Sequence, residues 1–150
     1  MSREVLVTGG TGHLGRPLVT DLLTRGFGVR VLSRRLSSDP RVGVTGMVGD
    51  LIDGRRLSEA IDGADTIIHC ASDPNASGAD LQAADHLLAA ARAAGSPNII
   101  YISIVGVDRV PLRYYREKLA VEARIRDSGL PWTIQRATQF HSLNRRWRCR

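Results

Sequence analysis

Near the start of the chain, the apolar triplet Val5-Leu6-Val7 runs straight into Thr8-Gly9-Gly10-Thr11-Gly12, and Leu14, Leu18, Val19, Leu22 and Leu23 then recur at helical spacing up to Gly26. Few folds tolerate this order. A buried strand that ends in glycines at 9, 12 and 15 and reopens as a helix makes a tight turn and lets helix and strand approach closely. It also leaves main-chain N–H groups bare at the helix start. Such a helix N-terminus carries unpaired donors and the positive end of the helix dipole, which together favour a phosphate. The strand–turn–helix context makes the glycine spacing a dinucleotide-binding signature rather than a chance triplet.

The alternation continues along the chain. Strands are predicted at 29–32, 44–48, 66–71, 99–102 and 132–135, and helices at 55–61, 79–94 and 113–128, with stops at Gly63, Gly95-Ser96-Pro97 and Gly129. Strands that are apolar almost throughout and separated by helices imply a parallel sheet covered on both faces. The expectation is a doubly wound α/β domain over residues 1–140, with about six strands in the order 3-2-1-4-5-6. Residues 141–150 continue neither a strand nor a helix and read as an irregular basic tail.

Charge and cysteine content narrow the function. Net charge is +6, but Arg145, Arg146, Arg148 and Arg150 supply four of those charges, leaving +2 over residues 1–144. A basic stripe across a folded face is absent, so nucleic acid is not an expected partner and Trp147 belongs to the tail. No apolar run approaches the ~18 residues of a membrane span, and the opening residues lack the apolar core of a signal peptide. Cys70 and Cys149 make no disulfide framework, Cys70 reads as a buried free thiol, and a cytoplasmic setting is expected. The histidines at 13, 69, 86 and 141 show no ligand spacing, so no metal is expected. A Gly-Lys-Ser/Thr phosphate loop and a Gly-x-Ser-x-Gly elbow are both missing.

Two further clusters carry chemistry. A carboxylate about 20 residues after the glycines usually holds a ribose 2′-hydroxyl. Here that place is Ser33-Arg34-Arg35, with no carboxylate until Asp39. Arginine pairs with a 2′-phosphate, so NADP(H) is expected ahead of NAD(H). In Tyr114-Tyr115-Arg116-Glu117-Lys118, Tyr114 and Lys118 share a helix face, whereas Tyr115 has Leu119 at its fourth position. An ammonium beside a phenol stabilises phenolate and lowers its pKa towards the working range. Of the 21 basic residues, Lys118 is the single lysine, and a compact ammonium does what a broad guanidinium fork does not.

With these pieces in view, the chain resembles the short-chain dehydrogenase/reductase superfamily, most closely its extended and atypical NmrA-like branch. The resemblance rests on Thr8 to Gly15, Gly49-Asp50-Leu51, His69-Cys70-Ala71-Ser72, Tyr101-Ile102-Ser103, Tyr114 to Lys118 and Ser128 to Ile134. It implies that Gly9, Thr11, Gly12, His13, Leu14 and Gly15 hold the dinucleotide, with Ser33, Arg34 and Arg35 at its ribose. Asp50 and Leu51 would flank adenine, and Ala71 and Ser72 would line the cofactor. Lys118 would hold the nicotinamide ribose, Tyr114 would donate the proton, and Ser103 lies near the place of a substrate-polarising hydroxyl. The implied activity is NADP(H)-dependent hydride transfer to or from a small carbonyl or enone. The branch also implies an alternative, a cofactor-binding redox sensor or assembly protein without turnover. Homodimers through helices 79–94 and 113–128 occur in the family. Family members run on past the sixth strand into a substrate-binding part, so a chain ending at Arg150 reads as a truncated or frameshifted product.

Overall fold

In the computed structural model, residues 3–35 and 41–138 are described. The ten elements are β1 (Glu4–Thr8), α1 (Gly15–Thr24), β2 (Gly28–Ser33), β3 (Val44–Val48), α2 (Leu57–Ile61), β4 (Thr66–His69), α3 (Ala79–Ala93), β5 (Asn98–Ile104), α4 (Arg113–Arg126) and β6 (Trp132–Ala137). The strands form one sheet in the order β3-β2-β1-β4-β5-β6, every pairing parallel. This is the doubly wound order expected from the sequence. The tail 141–150, with His141, Trp147 and Cys149, lies outside the described residues, as does Asp39.

Alternation along the strands divides the interior in two. Leu6, Leu32, Ile67, Ile99 and Tyr101 pack with α2, α3 and α4 in the larger core. Val5, Val7, Val29, Val31 and Ile68 pack with Val19 and Leu22 of α1 in the smaller one. Cover on the second face is therefore uneven: Ile100, Ile102 and Ile104 of β5 are only partly buried there.

Most elements differ from the sequence expectation by a residue or two at an end, and three of these differences are described by local structure. Helix α2 begins at Leu57 rather than Arg55 because Arg56 sits at φ 57°, a left-handed conformation that cannot continue a right-handed helix. Strand β4 ends at His69, two residues early. Cys70 N–H still donates to Thr8 O, but Ala71 N–H donates to the Thr8 side-chain hydroxyl (3.3 Å), which takes over from the ladder. Strand β6 runs on to Ala137, and Val105 N–H donates to the Ala137 carbonyl.

Candidate active site

In this strand order the chain leaves β1 in opposite directions, and the crevice at the carboxyl ends of β1 and β4 is where such sheets bind ligands. A cleft of about 410 Å³ opens there, lined by the glycine loop, Cys70, Ser72, the end of β5, the start of α4 and Ala137-Thr138.

The loop glycines are required for different reasons. A Cβ on Gly9, which has φ 69°, would stand 2.7 Å from Ala71 N; one on Gly15 would stand 2.1 Å from Gly9 O. Those two are fixed by the protein's own packing. Gly12 is not: a Cβ there would meet only Gly9 O, at 3.3 Å. Gly12 N–H donates to Gly9 O (3.0 Å) and Gly12 O accepts Arg16 N–H (3.1 Å), which sets the loop at the mouth of α1. The N-cap of α1 is Leu14, whose side chain cannot cap the first amides, and the first turn holds no acid. An uncapped helix start beside an open glycine suits a diphosphate in both shape and charge.

Across the cleft, Lys118 is 4% exposed on α4. Its Nζ donates to Ile102 O (3.3 Å) and lies 4.9 Å from the Tyr101 ring centroid and 5.6 Å from that of Tyr114. Burial pushes the ammonium below its ordinary value, while the nearby Asp80 and Cys70 act the other way. Tyr114 is half-buried, with its hydroxyl 3.2 Å from Ser72 Oγ. Burial raises the phenol's pKa and Asp80 adds to that, whereas a Ser72 hydroxyl donating to the phenol would lower it. The direction is opposite to the one the Tyr114–Lys118 spacing predicts, because loss of solvent dominates and Lys118 is not among the groups that set it.

Of the residues singled out in the sequence, Gly9, Gly12, His13, Leu14, Gly15, Ser72, Ser103, Tyr114 and Lys118 meet in this cleft. Thr11 is exposed in the same loop but does not line the cleft, its carbonyl accepting the Arg16 Nε–H (2.8 Å). Ala71 backs the loop. Ser33, Arg34, Arg35, Asp50 and Leu51 stand apart, at the carboxyl ends of β2 and β3. Arg34 and Arg35 are exposed there. Asp50 Oδ1 accepts Ile52 N–H (2.8 Å), and Leu51 packs on the larger core. Ser103 is buried on β5 with its hydroxyl unpaired, lying close enough to Glu122 to favour that carboxylate without forming a regular hydrogen bond. Cys70 is half-buried, packing against the smaller core while also lining the cleft; burial raises its thiol to about 11.

Sequence reasoning missed three buried acids. Glu117 accepts from Arg113 (2.9 Å) and Gly78 N–H (3.2 Å), and Arg113 also donates to Pro74 O (2.8 Å), which holds loop 72–78 over the cleft. Glu122, fully buried, accepts from Arg136 (2.8 and 3.0 Å) and Arg126 (2.8 Å) and ties α4 to β6. Burial opposes ionisation of both, but these donors outweigh it and hold both carboxyls below the usual range. Asp80 accepts from Ser72 and Asp73. The signal was present in the register: Glu122 shares the buried stripe of Lys118, Val121 and Ile125, and Asp80 opens the stripe of Ala83, Ala84 and Leu87.

A family model described as NAD(P)H-binding matches residues 9–146. The chain belongs to that family. Among curated members of the wider group, this NAD(P)H-binding chain is 31% identical over 150 residues to a (4-alkanoyl-5-oxo-2,5-dihydrofuran-3-yl)methyl phosphate reductase of Streptomyces griseus, covering 95% of this chain and 50% of that one. It is also 31% identical to the chloroplastic divinyl chlorophyllide a 8-vinyl-reductase of Oryza sativa, covering 91% of this chain and 40% of the relative. A nucleoside-diphosphate-sugar epimerase from Staphylococcus aureus has the same fold (TM-score 0.86, 21% identity), covering 98% of this chain and 54% of that one. The NAD(P)H-binding chain thus spans about half the length, or less, of these relatives. Among its described residues no helix is long and apolar enough to cross a membrane, and no group of side chains could hold a metal ion.

Proposed function

We propose that this chain is an NADP(H)-dependent oxidoreductase of the atypical short-chain type, acting on a small carbonyl or enone substrate. The observation that carries the reading is the meeting, in one cleft, of the open Gly12 at an uncapped helix start with the Tyr114–Lys118 pair. The loop amides would take the diphosphate, and Lys118 would stand at the nicotinamide ribose. When bound, the dinucleotide supplies or accepts the hydride. Tyr114, kept neutral by burial, is suited to give its proton to a substrate oxygen. The exposed Arg34 and Arg35 at the end of β2 support a 2′-phosphate and hence NADP(H) over NAD(H). The experiment is titration of the purified chain with NADPH and NADH, read by nicotinamide fluorescence. Tight NADPH and weak NADH binding is expected, and the reverse order would reject the arginine argument.

One observation favours a second reading, a redox sensor that binds coenzyme without turnover: Ser103 is buried on β5 and the Tyr114 hydroxyl is already engaged by Ser72. Binding without reduction of any carbonyl or enone in a substrate panel selects that reading.

A further inference from the structure

Three buried acids surround the cleft, and two of them are matched to arginines. Asp80 is not: among the described residues it makes no ion pair, yet it is 4% exposed. Its two oxygens are used separately. Oδ1 accepts Asp73 N–H at 2.9 Å, which fixes the carboxylate to loop 72–78. Oδ2 accepts the Ser72 hydroxyl at 2.6 Å, and Ser72 Oγ lies in turn 3.2 Å from the Tyr114 hydroxyl.

A serine hydroxyl carries one hydrogen. The shorter contact goes to an ionised acceptor, is charge-assisted, and claims that hydrogen. Tyr114 must then supply the hydrogen for the longer contact. The bonds therefore run in one direction, from phenol to serine to carboxylate. Beside Tyr114 on the same helix, Lys118 donates among the described residues to the Ile102 carbonyl.

We infer that Asp80 is a positioning residue for the Tyr114 centre: through Ser72 it turns the phenol hydrogen away from the open cleft. A substrate oxygen would have to draw that hydrogen off Ser72 before receiving it, so the donor stays protonated until it is called on. The placement rests on the geometry above, and its catalytic meaning rests on the proposed function.

The ionisable groups facing Tyr114 come from every flanking element: Asp80 from α3, Lys118 and Tyr115 from α4, Tyr101 from β5, and Cys70 after β4. The test uses the full chain without added coenzyme, labelled with 13C at tyrosine Cζ and lysine Cε. It is titrated by NMR between about pH 7 and pH 11, the range in which phenol and ammonium groups change charge. Lys118 gives the single lysine side-chain signal, and Tyr114→Phe assigns the phenol. In Asp80→Asn the Tyr114 midpoint should fall by about one pH unit, the scale of losing one nearby charge. In Ser72→Ala, an exposed position, the Tyr114 midpoint should fall while Lys118 stays in place. An unmoved Tyr114 midpoint in Asp80→Asn would overturn the inference. So would a Tyr114 midpoint that stays or rises in Ser72→Ala, the result of a serine that donates to the phenol instead. If Asp80→Asn loses its cooperative melt, Ser72→Ala still decides. Failure to bind NADPH would sink the proposed function while leaving these midpoints to stand or fall alone.

Discussion

Gly12 and Gly15 sit three residues apart in one loop, yet substitution should injure different properties. A methyl at Gly15 would be driven into Gly9 O and Gly10 Cα. Gly15→Ala should lose roughly 2–3 kcal/mol of stability, the range for overpacking a rigid site, seen as a lower urea midpoint. At Gly12 the methyl meets only one loop carbonyl at the edge of ordinary contact. Gly12→Ala should melt within a few degrees of wild type but bind NADPH at least ~10-fold more weakly, because a Cβ stands where a diphosphate would lie. Tyr114→Phe should abolish turnover while leaving NADPH affinity within a few-fold, separating proton donation from binding. His69 makes a pH prediction. It is buried against Thr8 (2.7 Å) and Tyr101, and burial lowers its pKa to about 3. The unfolded chain binds this proton near pH 6.5 and the folded one does not. Stability should therefore fall by about 1.4 kcal/mol per pH unit as pH drops from 6.5 towards 3, with no such loss above 6.5. Replacing His69 with Gln should flatten that slope in urea unfolding. The glycine loop, Tyr114 and Lys118 were legible at this scale because their spacing brings them to one cleft, while the direction of the Tyr114 shift was not. Asp80 and Ser72 were not, since their partnership depends on a loop that brings position 72 back onto α3.

Among elements, α4 does more than carry Tyr114 and Lys118. Its next two turns place Glu122 against Arg136 of β6 and Ile125 in the core, so one helix couples the cleft to the sheet edge. Glu122→Ala should cost about 3 kcal/mol, the low end for breaking a buried pair, because Arg126 and Arg136 are partly exposed and can regain water. The folded carboxyl is depressed, so its contribution is complete above the ordinary glutamate value near pH 4.3 and is lost as pH falls further through the folded value. A shallower acid unfolding curve for Glu122→Ala checks this. Helix and strand identities followed from periodicity, with the element order intact. Boundaries failed where a side chain replaced the backbone, as Thr8 does for β4, or where a single residue such as Arg56 adopted a left-handed turn, which no apolar pattern encodes.

For the whole molecule, two cores on opposite faces of one parallel sheet put the crevice at the point where the chain changes direction. NADPH at 100 times its Kd should add about 2.7 kcal/mol, or roughly 5–10 °C in Tm for a chain this size, and NADH at the same concentration much less. A thermal shift of equal size with both coenzymes would remove the role given to Arg34 and Arg35. The sheet order was readable because a right-handed alternation of strands and helices leaves few arrangements; the uneven cover over β5 was not, because partly exposed isoleucines look in sequence like buried ones. The wedging of Gly9 against Ala71 has a kinetic side. If the glycine loop takes a diphosphate as proposed, its shape is set when the chain folds, so capture would require no loop rearrangement and leave little ordering entropy to lose. Stopped-flow traces with NADPH should be single exponentials whose rates rise linearly with concentration, without a plateau.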